Sequence, residues 1–83
     1  NDIRKEYNIN KSFSLKVFKH LMSLLIKNGS IDYRELQKNK KELVGSMGTY
    51  RADLTNLTHI GWVYEDLEGL YKLNKDKFYN DLD

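Results

Sequence analysis

The sequence has no cysteine and no proline, and its 83 residues include only two histidines and five glycines. Without cysteine the chain can form neither disulfides nor cysteine-ligated zinc sites, so burial of apolar side chains must stabilise the fold. The length allows at most one small domain, because domains usually contain roughly 100–200 residues. Hydrophobic residues make up 40% of the chain and aromatic residues 12%, which predicts a folded core.

Signals of catalysis and of cofactor binding are also missing from the sequence. The two histidines, His20 and His59, do not belong to a zinc-binding H-E-x-x-H motif, and there is no cysteine nucleophile. The glycines match neither a P-loop nor a dinucleotide-binding fingerprint. We therefore predict that the protein is not an enzyme and has no catalytic residue, metal site or cofactor.

No apolar run is long enough to cross a membrane. The longest nearly continuous stretch covers residues 21–26, whereas a spanning helix needs about 20 residues. The sequence also lacks the basic start and apolar centre of a signal peptide. Since the absence of cysteine fits a reducing compartment, we predict a cytoplasmic protein without membrane contact.

Charge is distributed unevenly along the chain. Residues 1–48 carry ten basic and five acidic side chains, whereas residues 49–83 carry four basic and seven acidic ones. The net charge of +2 is therefore a balance of +5 in the first part and −3 in the second. A polyanionic partner would be attracted mainly by the first part.

Helical periodicity is clearest over residues 14–28. Apolar side chains occupy one arc of about 200°, and lysines occupy much of the remainder. Ser12 or Ser14 can cap the start of this first helix, and Asn28-Gly29 can end it. The next two residues, Ser30-Ile31, are long enough only for a bridge strand.

A second helix should begin at Tyr33, because Asp32 and Glu35 have the spacing at which two side chains cap each other's backbone amides. We place its end within residues 39–44, since a lysine would otherwise project onto the apolar face. The segment Gly45-Ser46-Met47-Gly48 then reads as a turn.

A third helix and a hairpin follow this turn. Apolar spacing predicts a helix over residues 49–60, ended by Gly61. Residues 62–64 and 70–73 are rich in the aromatic and β-branched side chains typical of strands, and an acidic segment connects them. Phe78 and its neighbours suggest a last helical turn. The predicted fold class is α+β, mainly α with a small β-hairpin.

This order of elements resembles a winged helix-turn-helix domain. The resemblance is carried by Ile31-Asp32-Tyr33-Arg34-Glu35-Leu36, Arg51, Leu54, Leu57, Gly61-Trp62 and Gly69-Leu70-Tyr71-Lys72-Leu73. The pattern is similar to the N-terminal domains of Mrr-like restriction proteins and, more loosely, to the HARE-type domain of the RNA polymerase delta subunit. It predicts three helices and a C-terminal wing over residues 13–74, between extensions at 1–12 and 75–83.

The resemblance implies DNA binding through the third helix, by the chain alone or as a module of a larger restriction, replication or regulatory protein. Arginine and asparagine can form paired hydrogen bonds with guanine and adenine, and threonine can contact a base or a phosphate. Basic side chains of the second helix would meet the phosphates. The candidate DNA-binding residues are Arg34, Lys38, Lys40, Lys41, Ser46, Thr49, Arg51, Thr55, Asn56 and His59.

The predicted wing departs from a phosphate-binding hairpin. Glu65, Asp66 and Glu68 lie at its tip without a lysine or arginine, so the tip should stay off the DNA backbone. An alternative function is therefore contact with a protein partner through this acidic hairpin and tyrosines such as Tyr64 and Tyr71. Another alternative is single-stranded nucleic-acid binding, since the G-S-M-G segment matches the G-x-x-G loop of KH domains. Duplex DNA is the favoured partner.

Overall fold

The computed structural model describes residues 14–82, and the predicted extension over residues 1–12 lies outside them. Within the described part, the chain forms four α-helices and a three-stranded antiparallel sheet, so the fold is α+β. In chain order the elements are α1 (Leu15–Asn28), β1 (Ser30–Asp32), α2 (Tyr33–Lys38), a 3-10 helix (Lys40–Glu42), α3 (Met47–Ile60), β2 (Val63–Glu65), β3 (Leu70–Leu73) and α4 (Lys75–Leu82).

The first helix, α1, begins and ends as predicted. Ser14 caps its start by accepting a backbone hydrogen bond at 3.4 Å, and Gly29 ends it with a φ of 83°. Glycine adopts this left-handed conformation readily because it has no Cβ. The buried stripe is narrower than predicted, since Leu15 and Ile26 are 52% and 60% exposed. These two residues lie at the margins of the apolar arc, beyond the contacts with α3 and the sheet.

The second helix, α2, begins as predicted but is short. Asp32 caps it by accepting a hydrogen bond from the Arg34 amide at 2.9 Å. The helix ends at Lys38, one residue before the predicted window of 39–44, and the chain continues as the 3-10 helix. This break leaves Lys40 exposed, so its ammonium group is not forced onto the apolar face.

The helix α3 begins at Met47, two residues earlier than predicted. Ser46 caps it by accepting a hydrogen bond from the Thr49 amide at 3.2 Å, so the second half of the predicted turn is already helical. Gly45 stays outside the helix and packs closely against α1. A Cβ at Gly45 would come within 2.9 Å of the Val17 Cγ2 atom, which explains the need for glycine there.

The sheet has the strand order β1-β3-β2, and both strand pairs are antiparallel. Tyr71 at the centre pairs with Ile31 of β1 on one side and with Glu65 of β2 on the other. Since side chains along a strand alternate between the two faces, Tyr71 and Leu73 share the face that packs on the helices. The hairpin of β2 and β3 therefore rests on the same core as α3.

The core lies between α1, α3 and the sheet. Its buried members are Val17, Leu21, Met22, Leu25, Ile31, Leu36, Tyr50, Leu54, Leu57, Ile60, Trp62, Val63, Leu73 and Phe78. The apolar face of α1 therefore shares one core with Leu54, Leu57 and Trp62.

Trp62 connects this core to the last helix, α4. Its indole N–H donates to the Asp81 carboxylate at 2.7 Å, and its ring meets the Phe78 ring edge-on with centroids 5.0 Å apart. Trp62 itself precedes β2, which starts one residue after the predicted strand. The sequence places residues 75–83 outside the domain, whereas Phe78 is part of the same core cluster as the leucines of α1 and α3.

Candidate nucleic-acid interface

Three of the predicted contact residues lie together on the solvent side of α3. Arg51, Thr55 and His59 recur every fourth residue and are all exposed, so they form one line along the helix, here called the α3 outer face. Thr55 donates its hydroxyl hydrogen bond to the Arg51 carbonyl at 2.9 Å. The Thr55 oxygen therefore still has a lone pair for an external donor.

Asn56 does not share this face. It is predicted to point outward, but it is buried and only 8% exposed. Asn56 follows Asp53 by three residues and precedes Ile60 by four, and both neighbours are buried, so it lies on their side of the helix. Its Nδ2 atom is buried without a hydrogen-bond partner among residues 14–82. The predicted outward position of Asn56 is wrong.

Asp53, which the sequence analysis does not single out, connects α3 to the start of α1 by hydrogen bonds. It is completely buried, and its two carboxylate oxygens accept the Ser14 amide at 3.1 and 3.3 Å. Burial raises the pKa of Asp53 to about 6, although the Ser14 hydrogen bond lowers it in part. Its spacing from Leu57 and Ile60, which are four and seven residues further on, is the sequence signal that places it on the buried stripe.

The start of α3 uses two predicted contact residues for its own cap. The Ser46 and Thr49 hydroxyl oxygens lie 2.9 Å apart, with Ser46 exposed and Thr49 half-buried. Tyr33 of α2 reaches the same place, because its hydroxyl donates to the Met47 carbonyl at 3.5 Å. The G-S-M-G segment is thus divided between a turn and the first turn of a helix instead of forming a separate loop.

The basic side chains of α2 and the 3-10 helix are all exposed. Arg34 and Lys38 each have a nearby carboxylate, at 3.4 and 3.6 Å respectively. Ion pairs of exposed cations contribute little to the stability of the fold, so each cation can exchange its carboxylate partner for a phosphate. Lys40 and Lys41 form no ion pair within residues 14–82. Lys40 and Lys41 lie in the segment that connects α2 to α3.

The hairpin tip presents less free negative charge than the sequence predicts, because Asp66 is engaged inside the turn. Its Oδ1 accepts the amides of Glu68 and Leu70, both at 2.9 Å, and the Lys72 ammonium lies 3.0 Å from Oδ2. The Leu70 amide and then the Lys72 side chain hold the pKa of Asp66 below its usual range. Glu65 and Glu68 remain as exposed carboxylates.

Tyr71 marks the junction between α3 and the hairpin. The sequence suggests an exposed tyrosine, but Tyr71 is half-buried against the core. Burial raises the pKa of its hydroxyl; the Glu65 carboxylate adds to this shift, whereas the Arg51 guanidinium opposes it. A negative charge of the hairpin and a positive charge of α3 therefore lie near the same ring.

No protein-family model, curated protein or solved structure matches the chain. Within residues 14–82, no group of three or more histidine, cysteine, aspartate or glutamate side chains is arranged to hold a metal ion. The same residues include no helix with the length and apolarity that crossing a membrane requires.

Proposed function

We propose that the chain is a winged helix-turn-helix module that binds duplex DNA, with α3 as its recognition helix. The order of the elements supports this proposal: a helix and a strand precede two helices, which are connected by a 3-10 helix and a turn, and a hairpin pairs back onto the first strand. In helix-turn-helix modules the second of the two joined helices enters the major groove. In this chain that helix is α3.

The observation that carries the proposal is the α3 outer face. The Arg51 guanidinium can donate two parallel hydrogen bonds to O6 and N7 of a guanine, which is the commonest specific contact in the major groove. Thr55 and His59, one and two turns further along, can each contact a base edge or a phosphate. The major groove is about 12 Å wide and admits a helix that presents such a line.

The exposed cations of α2 and the 3-10 helix supply the second part of the proposed interface. Lys40 and Lys41 lie without ion pairs among the described residues, and Arg34 and Lys38 are themselves exposed beside the carboxylates of Asp32 and Glu35. We assign these four side chains to phosphate contacts, which fix the register of a protein on DNA without reading its sequence.

The hairpin has no phosphate contact in this proposal. Duplex DNA carries one negative charge per about 1.7 Å of its axis, which would repel Glu65 and Glu68 at the tip. The similarity to Mrr-like N-terminal domains and to the HARE-type domain favours a module of a restriction, replication or regulatory protein. The module would act in the cytoplasm by binding, without catalysis, cofactor or metal.

Fluorescence anisotropy with labelled duplex and single-stranded oligonucleotides, at about 50 and 200 mM salt, tests the proposal. With four phosphates neutralised, duplex affinity should fall about 150-fold between these salt concentrations, because binding releases the counterions condensed on those phosphates. Duplex should also bind more tightly than single strands. Equal or tighter binding of single strands, or duplex binding that does not respond to salt, would contradict the proposal.

Contact with a protein partner through the hairpin is a second candidate function, favoured by one feature of the tip. Leu67 is completely exposed and Tyr64 is 48% exposed, so the hairpin offers apolar as well as acidic side chains. A partly apolar protein interface depends much less on salt than a phosphate interface does. Absence of duplex binding at both salt concentrations would favour this second function.

A further inference from the structure

A groove of about 200 Å³ lies between α1, β1, α2 and the 3-10 helix. Its recessed lining is apolar and comes from Leu24, Ile31, Leu36 and Leu43, all of which are buried or half-buried. Its remaining lining is polar, and none of it belongs to the α3 outer face. The groove is therefore separate from the α3 outer face, although the cations assigned to phosphate contacts lie on two of the elements that form it.

Charge is strongly segregated at this groove. Residues 14–48 contain seven basic and three acidic side chains, and the three acidic ones, Asp32, Glu35 and Glu42, all line the groove. None of the seven basic side chains does so. An acidic depression with an apolar floor is thus set into the basic part of the chain, and it complements a cation that carries an apolar stem.

Glu35 and Glu42 keep most of their capacity to bind a cation, whereas the Oδ1 atom of Asp32 already accepts the Arg34 amide of the α2 cap. Asp32 and Glu35 contact the exposed Arg34 and Lys38 at 3.4 and 3.6 Å, and such pairs contribute little in solvent. Glu42 forms no ion pair within residues 14–82. An incoming cation can therefore displace the two exposed partners and pair directly with Glu42.

His20 contributes a fixed wall on the α1 side of the groove. Its Nδ1 is hydrogen-bonded to the Tyr50 hydroxyl, and the same hydroxyl oxygen accepts the Val44 amide at 3.0 Å. These contacts hold the imidazole ring in place beside the groove.

We propose that this groove binds a lysine or arginine side chain presented by a protein partner. The stem of that side chain lies on the aliphatic floor, and its charged head lies among the three carboxylates. Lysine and arginine are the side chains that combine a long apolar stem with a cation. Nucleic acid does not fit, because its phosphates would meet the same carboxylates. None of the groove lining belongs to the α3 outer face, so base contacts through α3 would leave the groove itself uncovered.

The proposal is tested by titrating the ¹⁵N-labelled protein with the peptide acetyl-GLKRLG-amide. Amide shifts should be confined to groove residues such as Ser30, Leu36, Asn39 and Leu43, with a Kd of about 1 mM or below. The matched peptide carries acetyl-lysine and citrulline, which keep the shape but remove both charges. This neutral peptide should bind at least tenfold more weakly. Equal binding of the two peptides, or no shift at the groove, would overturn the proposal.

Two matched double variants separate the groove from general charge attraction. Glu35→Gln with Glu42→Gln should weaken peptide binding at least tenfold, whereas Glu65→Gln with Glu68→Gln removes the same charge from the hairpin and should leave binding unchanged. Equal weakening by both would mean that the peptide follows net charge alone. Asn39→Arg, which places a competing cation at the mouth of the groove, is an independent check and should also abolish the shifts. Unchanged binding in that variant would count against the groove.

Discussion

The α3 outer face and the hairpin are neighbours on one core, yet they offer opposite chemistry to a ligand. The side chains of the α3 outer face present a guanidinium, a hydroxyl and an imidazole to solvent, whereas the hairpin tip presents the carboxylates of Glu65 and Glu68. Both regions influence the pKa of Tyr71 at their junction, with opposite sign. Under the proposed function, this difference assigns contact with the polyanion to the helix and keeps the hairpin away from it.

The largest change in stability should come from truncating a side chain of the core on which both regions rest. Leu57 is completely buried, so Leu57→Ala should lower the free energy of unfolding by about 2–5 kcal/mol through lost burial and a remaining cavity. Urea unfolding followed by Trp62 fluorescence measures this change. Leu67→Ala at the exposed tip is the control and should be nearly neutral. A similarly small loss for Leu57→Ala would mean that the core is misplaced.

The next largest effect should be a pH dependence of stability that comes from Asp53, the residue of α3 that accepts the Ser14 amide at the start of α1. The pKa of Asp53 is raised from 3.8 to about 6, so the folded state binds this proton more tightly than the unfolded state. The contribution of this proton to the free energy of unfolding is fully present below about pH 4. It is lost as the pH rises to about 6, and the loss is on the order of 2–3 kcal/mol. Asp53→Asn cannot ionise and should lack this loss.

The measurement for Asp53 is the difference in unfolding free energy between parent and Asp53→Asn at about pH 4 and pH 7. Taking the difference removes the contribution of the other carboxyl groups, including Asp66, whose lowered pKa acts in the opposite direction. The parent should lose stability relative to the variant as the pH rises. A difference that does not change with pH would show that Asp53 ionises normally.

Base contacts of α3 and phosphate contacts of the neighbouring cations should respond differently to substitution. Arg51→Ala should weaken binding of a preferred duplex by about 1–3 kcal/mol and hardly affect other duplexes, because a lost base contact costs only where that base is present. Lys41→Ala should weaken all duplexes alike and reduce the salt slope by about one. Anisotropy titrations with both variants measure this contrast. If Arg51→Ala weakened all duplexes equally, α3 would contact phosphates only.

The smallest effect should come from the hairpin. Glu65→Gln with Glu68→Gln leaves Asp66 in its turn and should raise duplex affinity modestly at low salt. The gain should fade near physiological ionic strength, where the Debye length is about 8 Å. Anisotropy at two salt concentrations measures the gain. Weaker duplex binding by this variant would show that the tip makes DNA contacts of its own.

Elements with local signals were predictable from the sequence. The cap at Ser14, the left-handed glycines at 29 and 61 and the start of α2 at Tyr33 each depend on residues within a few positions. Local propensity and capping are sufficient there because no distant contact opposes them. The α3 outer face was found in the same way, through Arg51, Thr55 and His59.

Features that depend on distant contacts were not predictable. Gly45 looked like an ordinary turn residue, but its role follows from the approach of Val17. Helical spacing predicts Asn56 on the outward arc of α3, whereas the buried stripe of this helix extends to Asn56 and Asp53, and the partner of Asp53 lies 39 residues away in sequence. The free charge at the hairpin tip was overestimated, because pairing of Asp66 with Lys72 depends on how the hairpin folds back.

The division between helix and hairpin is tested most directly by an ¹⁵N-HSQC titration of the protein with a duplex oligonucleotide. The account predicts large shifts for the backbone amides of residues 46–59 and for the Arg51 Nε–H group, smaller ones over residues 38–41, and none over residues 66–68. Shifts concentrated at the hairpin tip, with the α3 outer face unchanged, would contradict it.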